Sequence, residues 1–173
     1  MNQISVSLPT TSTANPALAQ ARIAIISANW HSDVVHQARD AAVRRLTELG
    51  AAPARIHQID VPGAFEIPLM AQKLAQSGQF DAVIGCAVIV NGGIYHHEFV
   101  STAVVDGLMR VQLDTGVPVF SVALTPHNFQ AGDLQDFFRQ HFVQKGEEAA
   151  NTCAQTLAQH AALDALLSQA VTA

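Results

Sequence analysis

The chain has 173 residues, of which 49% are hydrophobic and 13% charged, a composition that suits one domain with a large core and excludes global disorder. Nine Lys and Arg are scattered among fourteen Asp and Glu, for a formal charge of −5, so no basic stripe invites nucleic acid. No apolar run approaches the roughly 20 residues of a membrane span, the N-terminus lacks the order of a secretory signal, and Cys86 and Cys153 read as buried thiols in a reducing compartment.

These features lead us to expect a soluble, cytoplasmic protein. Residues 1–20 are rich in Ser, Thr, Pro and Asn and read as a flexible or extended arm; residues 21–173 read as a single domain. "RIAIISA" (Arg22–Ala28) is a short β-branched run, hence a buried strand. From Val34 to Leu49, apolar residues at Val35, Ala38, Ala42, Leu46 and Leu49 step by three and four, which predicts a helix that Gly50 stops. "RIHQIDV" (Arg55–Val61) is a second strand, and the helix after it carries Met70, Ala71 and Leu74 and ends at Gly78. "DAVIGCAVIV" (Asp81–Val90) is apolar almost throughout, as a central parallel strand should be. A helix with Val100, Val104, Leu108 and Val111 then runs to Gly116, and "VPVFSVAL" (Val117–Leu124) is the fourth strand. The remainder predicts a helical stretch around Phe137–Phe142 and a last helix from Glu147 to about Ala170, with Glu147 and Glu148 in its first turn where the helix dipole favours them. Strands alternating with helices imply an α/β fold: a flavodoxin-like three-layer α/β/α sandwich around a four- to five-stranded, mainly parallel sheet.

In such a sheet, ligands bind beyond the carboxyl ends of the strands. The four loops there are "NWHS" (Asn29–Ser32), "PGAFEIP" (Pro62–Pro68), "NGGIYHH" (Asn91–His97) and "TPHNF" (Thr125–Phe129). They hold the only Trp, the only Tyr and four of the eight His, whereas the opposite loops are bland. Pro68 suits the first helical position, so the helix starts near Ile67 or Pro68 and Glu66 lies at its N-terminus. There Glu66 either merely caps the helix or accepts hydrogen bonds from a ligand. Trp30 either stacks on a flat heterocycle or covers the core edge. Gly92 and Gly93 make an ordinary turn or let the main chain approach a ligand. His96 and His97 point about 100° apart on a helix, so they do not readily share a metal. "HHEFV" is not HExxH, because Ser101 stands where the second His would be. No metal site is expected. One of the two imidazoles could move protons near neutral pH. There is no GxSxG, no P-loop and no GxGxxG, and Cys86 inside a strand is poorly placed as a nucleophile.

Taken together, "VPGAFEIPLMAQKLA" (Val61–Ala75), "FDAVIGCAVIVNGG" (Phe80–Gly93), "HHEFV" (His96–Val100) and "LDTGVPV" (Leu113–Val119) resemble the lumazine synthase family of riboflavin biosynthesis. The likeness spans roughly Arg22 to Ala150. "NWH", "VNGGIYHHEFV" and "LTPHNF" resemble the divergent second type of that family. The resemblance implies a transferase that condenses 5-amino-6-(D-ribitylamino)uracil with 3,4-dihydroxy-2-butanone 4-phosphate to 6,7-dimethyl-8-ribityllumazine, the penultimate step of the pathway, with no metal or organic cofactor.

By position, Trp30 matches the aromatic that stacks on the pyrimidine, and Ala64, Phe65 and Glu66 match the segment that holds the ribityl chain. Ile89 and Val90 match the strand end whose backbone reads the pyrimidine edge, and His96 the proton-transfer histidine. Gly93, Ile94 and Tyr95 match the phosphate loop, and Lys145 a phosphate-side lysine from the neighbouring subunit. The chain departs from the family in four places. Asn91 replaces an Arg after the third strand, Phe137 stands at the phosphate-binding Arg, with Arg139 and His141 as substitutes, and Ser121 replaces an aromatic of the neighbour's fourth strand. "RQHFVQKG" (Arg139–Gly146) replaces the segment that goes with icosahedral shells. The resemblance therefore implies a pentamer or a dimer of pentamers with sites between subunits, small-molecule substrates, and riboflavin synthase as a pathway partner. The competing readings are a lumazine- or flavin-binding protein of the same fold with weak catalysis, and a purely structural assembly domain.

Overall fold

The computed structural model describes residues 15–91, 96–126, 129 and 135–171. The elements run α1 (Pro16–Gln20), β1 (Ile23–Ala28), α2 (Ser32–Glu48), β2 (Ile56–Val61), α3 (Ile67–Gln76), β3 (Ala82–Val88), α4 (His97–Thr115), β4 (Val119–Leu124) and α5 (Gln135–Val171), with short 3-10 turns at Pro53–Arg55 and Ala64–Glu66. The four strands form one sheet, all parallel, in the order β2-β1-β3-β4. The expected range of four to five, mainly parallel strands thus narrows to four parallel ones among the described residues.

The central strands β1 and β3 are buried along their whole length, which is why their sequence is continuously apolar. Alternate residues feed two separate cores. Ile23 and Ile25 of β1, with Ala82, Ile84, Cys86 and Val88 of β3, pack under α1, α2 and α5. Ala24, Ile26 and Ala28, with Val83 and Ala87, pack under α3 and α4. These are the three layers that the strand–helix alternation predicts. No helix among the described residues is long and apolar enough to cross a membrane.

Two readings of the chain change. Residues 16–20, read as part of the arm, form α1. Asn15 caps it by accepting from the Leu18 amide at 3.2 Å, its own amide donates to the Ala154 carbonyl at 2.8 Å, and Leu18 is fully buried. So short a helix is held by its docking on α5, which the local composition does not reveal. The preceding arm, residues 1–14, lies outside the described residues.

The second change concerns α5, which is one helix from Gln135 onward, so Glu147 and Glu148 stand in its interior, not in a first turn. Gly146, between the two stretches read as separate helices, is buried against the backbone of Ala38 in α2, where a β-carbon would overlap the Ala38 carbonyl. The glycine serves the α2–α5 crossing and leaves the helix unbroken. Glu147 instead accepts from Arg44 of α2 at 3.2 Å.

Candidate active site

Parallel strands bring all four carboxyl ends to one edge. Ala28 pairs with Val61, Ser27 with Cys86 and Val88 with Leu124, so the strand ends are level. The Asn29 amide donates to the Val61 carbonyl at 2.8 Å and the Ile89 amide to the Leu124 carbonyl at 2.9 Å, which ties the loops across the rim. The chain runs from β1 to β2 on one side of the sheet and from β3 to β4 on the other, so the crevice between the ends of β1 and β3 is the topological switch point. Trp30 follows β1 there, and Ile89 and Val90 follow β3.

Trp30 is 73% exposed and Phe65 is 65% exposed, so neither ring closes the core edge. Glu66 occupies the N-cap position of α3, with a proline in the helix's first two positions as the sequence predicts, yet its side chain makes no capping hydrogen bond. Gly63 lies between the two groups: a β-carbon there would be 3.1 Å from Glu66 Oε2 and 4.0 Å from Trp30 Cδ2. An indole and a carboxylate thus flank one stretch of bare backbone. The turn is pressed against the sheet at Gly85 of β3, where a β-carbon would come within 2.9 Å of Ile67 Cγ2.

His96 is the N-cap residue of α4, with extended backbone and no side-chain cap bond; its exposed ring sits 5.5 Å from that of Phe99. The helix it opens packs against the turn Ala64–Glu66 and against α3, which sets His96 on the Glu66 side of the sheet. The neighbouring His97 has its Nδ1 3.3 Å from Glu98 Oε2. Gly93, Ile94 and Tyr95, expected to hold phosphate, lie outside the described residues, as does Gly92.

The remaining expected residues are more dispersed. Ser121 is exposed on the edge strand β4, level with Gly85 and three residues short of the strand end, so it stands away from the rim of its own chain. Arg139, His141 and Lys145 all lie on α5. Arg139 donates to Asp33 Oδ2 at 2.8 Å and to Asp136 Oδ1 at 2.9 Å, and those bonds raise its pKa further. The His141 ring stacks on Phe137 at 5.8 Å. Lys145 donates to Glu148 at 2.7 Å, which, with the Gln144 amide, holds that carboxyl below the usual carboxylate range.

His31 escaped the sequence reading. It takes a left-handed backbone, φ 54° and ψ 44°, at the N-cap of α2, a conformation that a residue with a β-carbon rarely adopts. Its ring packs edge-on against Phe129 at 4.8 Å. Nothing in "NWHS" marks that strain. Its position directly after Trp30, in a loop singled out for its unusual residues, was the one available clue.

Among the described residues no group of three or more His, Cys, Asp or Glu is gathered to hold a metal ion. Burial pushes the Cys86 thiol up to about 12, which removes it as a nucleophile. The rim can therefore stack a flat ring, accept hydrogen bonds at a carboxylate and exchange protons at an imidazole.

The family model for 6,7-dimethyl-8-ribityllumazine synthase matches residues 20–161. A protein of Rhodococcus erythropolis named 6,7-dimethyl-8-ribityllumazine synthase is 54% identical over 130 residues, covering 75% of this chain and 84% of that one. The protein of Pseudomonas syringae pv. tomato named 6,7-dimethyl-8-ribityllumazine synthase 2 is 54% identical over 137 residues, covering 79% and 81%. Its namesake in Bradyrhizobium diazoefficiens is 46% identical over 142 residues, covering 79% and 82%.

Proposed function

The chain belongs to the 6,7-dimethyl-8-ribityllumazine synthase family, and from that premise we propose that the rim around Gly63 is where its reaction takes place. The reaction is the condensation of 5-amino-6-(D-ribitylamino)uracil with 3,4-dihydroxy-2-butanone 4-phosphate, a transferase step of riboflavin biosynthesis. The 5-amino nitrogen attacks the ketone, and loss of water leaves an imine. Phosphate departs, and the ribitylamino nitrogen closes the second ring with loss of another water. Positioning two reactants in this way can remove about 7–11 kcal/mol from a barrier in favourable cases.

Trp30 stacks on the pyrimidine, and the backbone at Ile89 and Val90 reads its edge. Ala64 and Phe65 border the ribityl chain, whose hydroxyls donate to Glu66. His96 moves protons between the attacking amine and the departing water. Gly93, Ile94 and Tyr95 take the phosphate from the same chain, and His141 and Lys145 complete its binding. Ser121, His141 and Lys145 serve the site of an adjacent copy in a pentamer or a dimer of pentamers. We place the protein in the cytoplasm, with riboflavin synthase acting on its product.

The observation that carries this reading is the pairing of an exposed indole and an uncapped carboxylate across Gly63 at the switch-point rim. Mixing the two substrates and following lumazine absorbance tests it, because a binding protein of the same fold would give only weak turnover. His96→Ala is expected to fold normally and to slow turnover by about 10²-fold. Glu66→Gln should raise the KM for the ribitylated substrate roughly tenfold, as expected when a charge-assisted hydrogen bond is lost. Wild-type turnover in both variants would remove these two assignments.

A further inference from the structure

We propose that Arg139 is a positioning residue for Trp30 and not a phosphate ligand: its guanidinium clamps the first turn of α5 to the first turn of α2 and so holds the corner that carries the indole. The inference rests on the reading of Trp30 given above.

Asp33, the partner of Arg139 across the helices, lies three residues after Trp30. Between them stands His31 in its left-handed conformation, which the rest of the structure must hold in place. A second tie runs parallel to the ion pair. Phe129 packs edge-on against His31 at 4.8 Å and stacks on Phe138 at 5.3 Å, and Phe138 directly precedes Arg139 in α5. An ionic and an aromatic contact thus reach the Trp30–His31 corner from the same turn of α5.

Two features set Arg139 apart from an anion site. On a helix it points roughly 160° away from His141 and 120° away from Lys145, whereas those two share a face. Among the described residues, Arg139 is paired with two carboxylates, a net negative cluster that disfavours phosphate.

The test compares Arg139→Gln, Asp33→Asn, their double variant and Asp136→Asn, all in the full-length chain. Trp30 is the only tryptophan, so emission anisotropy and acrylamide quenching report on the corner directly. Arg139→Gln and Asp33→Asn should each loosen Trp30 and raise the KM for the ribitylated uracil about two- to fivefold, the scale that one exposed ion pair can enforce. The KM for the butanone phosphate should hold, and the double variant should be no worse than either single one. Asp136→Asn should change nothing, because Asp136 lies on the same helix as Arg139 and, among the described residues, bridges to no other element.

The proposal is overturned if Arg139→Gln weakens inhibition by inorganic phosphate and raises the KM for the butanone phosphate while Asp33→Asn does neither. It is equally overturned if Trp30 emission is unchanged in Asp33→Asn, the variant that decides the matter should Arg139→Gln fail to fold. Absence of lumazine formation by the wild type would remove the functional reading, yet the fluorescence comparison would still decide whether the clamp exists.

Discussion

Cys86 shows how burial alone sets the chemistry of a side chain. Removal from water raises its pKa from an ordinary thiol's 9.0 to about 12, and the positive charge of Arg39 offsets only part of that. Cys153 is raised to about 12 by burial as well. A thiol that stays protonated in the fold but ionises when unfolded contributes stability below pH 9, and that contribution is lost as pH rises through the interval from about 9 to 12. The stability advantage of the wild type over Cys86→Ala, read from urea midpoints, should therefore shrink as pH climbs through that interval. A pH-independent difference would contradict the assigned burial. Neither thiol should react with a disulfide reagent at pH 8 until the chain unfolds.

The site's framework is set by elements that approach one another unusually closely. Helix α5 crosses α2 where Gly146 lies against Ala38, and Phe142, Ala150 and Cys153 of α5 share a core with Val35, Ala38 and Leu46 of α2. Gly146→Ala tests this contact because two effects of opposite sign compete. Helix propensity favours Ala by about 1 kcal/mol. Forcing a methyl group into backbone costs about 1–3 kcal/mol, and a rigid carbonyl yields less than a side chain. The expected result is net destabilisation, seen as a lower urea midpoint. An unchanged or higher midpoint would mean that the two helices are farther apart than described. The same crossing places the first turn of α5 beside the first turn of α2, so slackening it should also loosen the Trp30 corner.

For the whole molecule, apolar exposure argues for association. Leu69 on α3 and Val105, Met109 and Leu113 on α4 are exposed in the single chain. The α4 residues recur every four positions, which puts them on one stripe of the helix. An exposed apolar stripe of this kind is what a helix covered by another protein would carry. Together with Ser121 on an open edge strand, it supports the proposed pentamer or dimer of pentamers. Light scattering should find five or ten times the chain mass of 18.4 kDa. A stable monomer, or a megadalton shell, would refute it. Met109→Glu should shift the distribution toward smaller species.

Periodicity sufficed for the strands and most helices because each element's burial pattern is local: "AVIGCAV" reads as a doubly covered strand, and the proline of "EIP" marks the start of a helix. The concentration of Trp30, Glu66 and His96 in loops at one end also followed from the alternation, since parallel strands bring all their carboxyl ends to one edge. What the sequence left undecided depended on contacts between distant segments. The helix at Pro16–Gln20 exists because Asn15 and Leu18 dock elsewhere, α5 stays unbroken because Gly146 fits against Ala38, and Arg139 is held by Asp33, 106 positions away. Composition and spacing determined the layers and the chemistry available at the rim. Only tertiary packing decided which charged groups remain open to a ligand and which are already engaged, because an ion pair between two helices leaves no trace in the sequence around either partner.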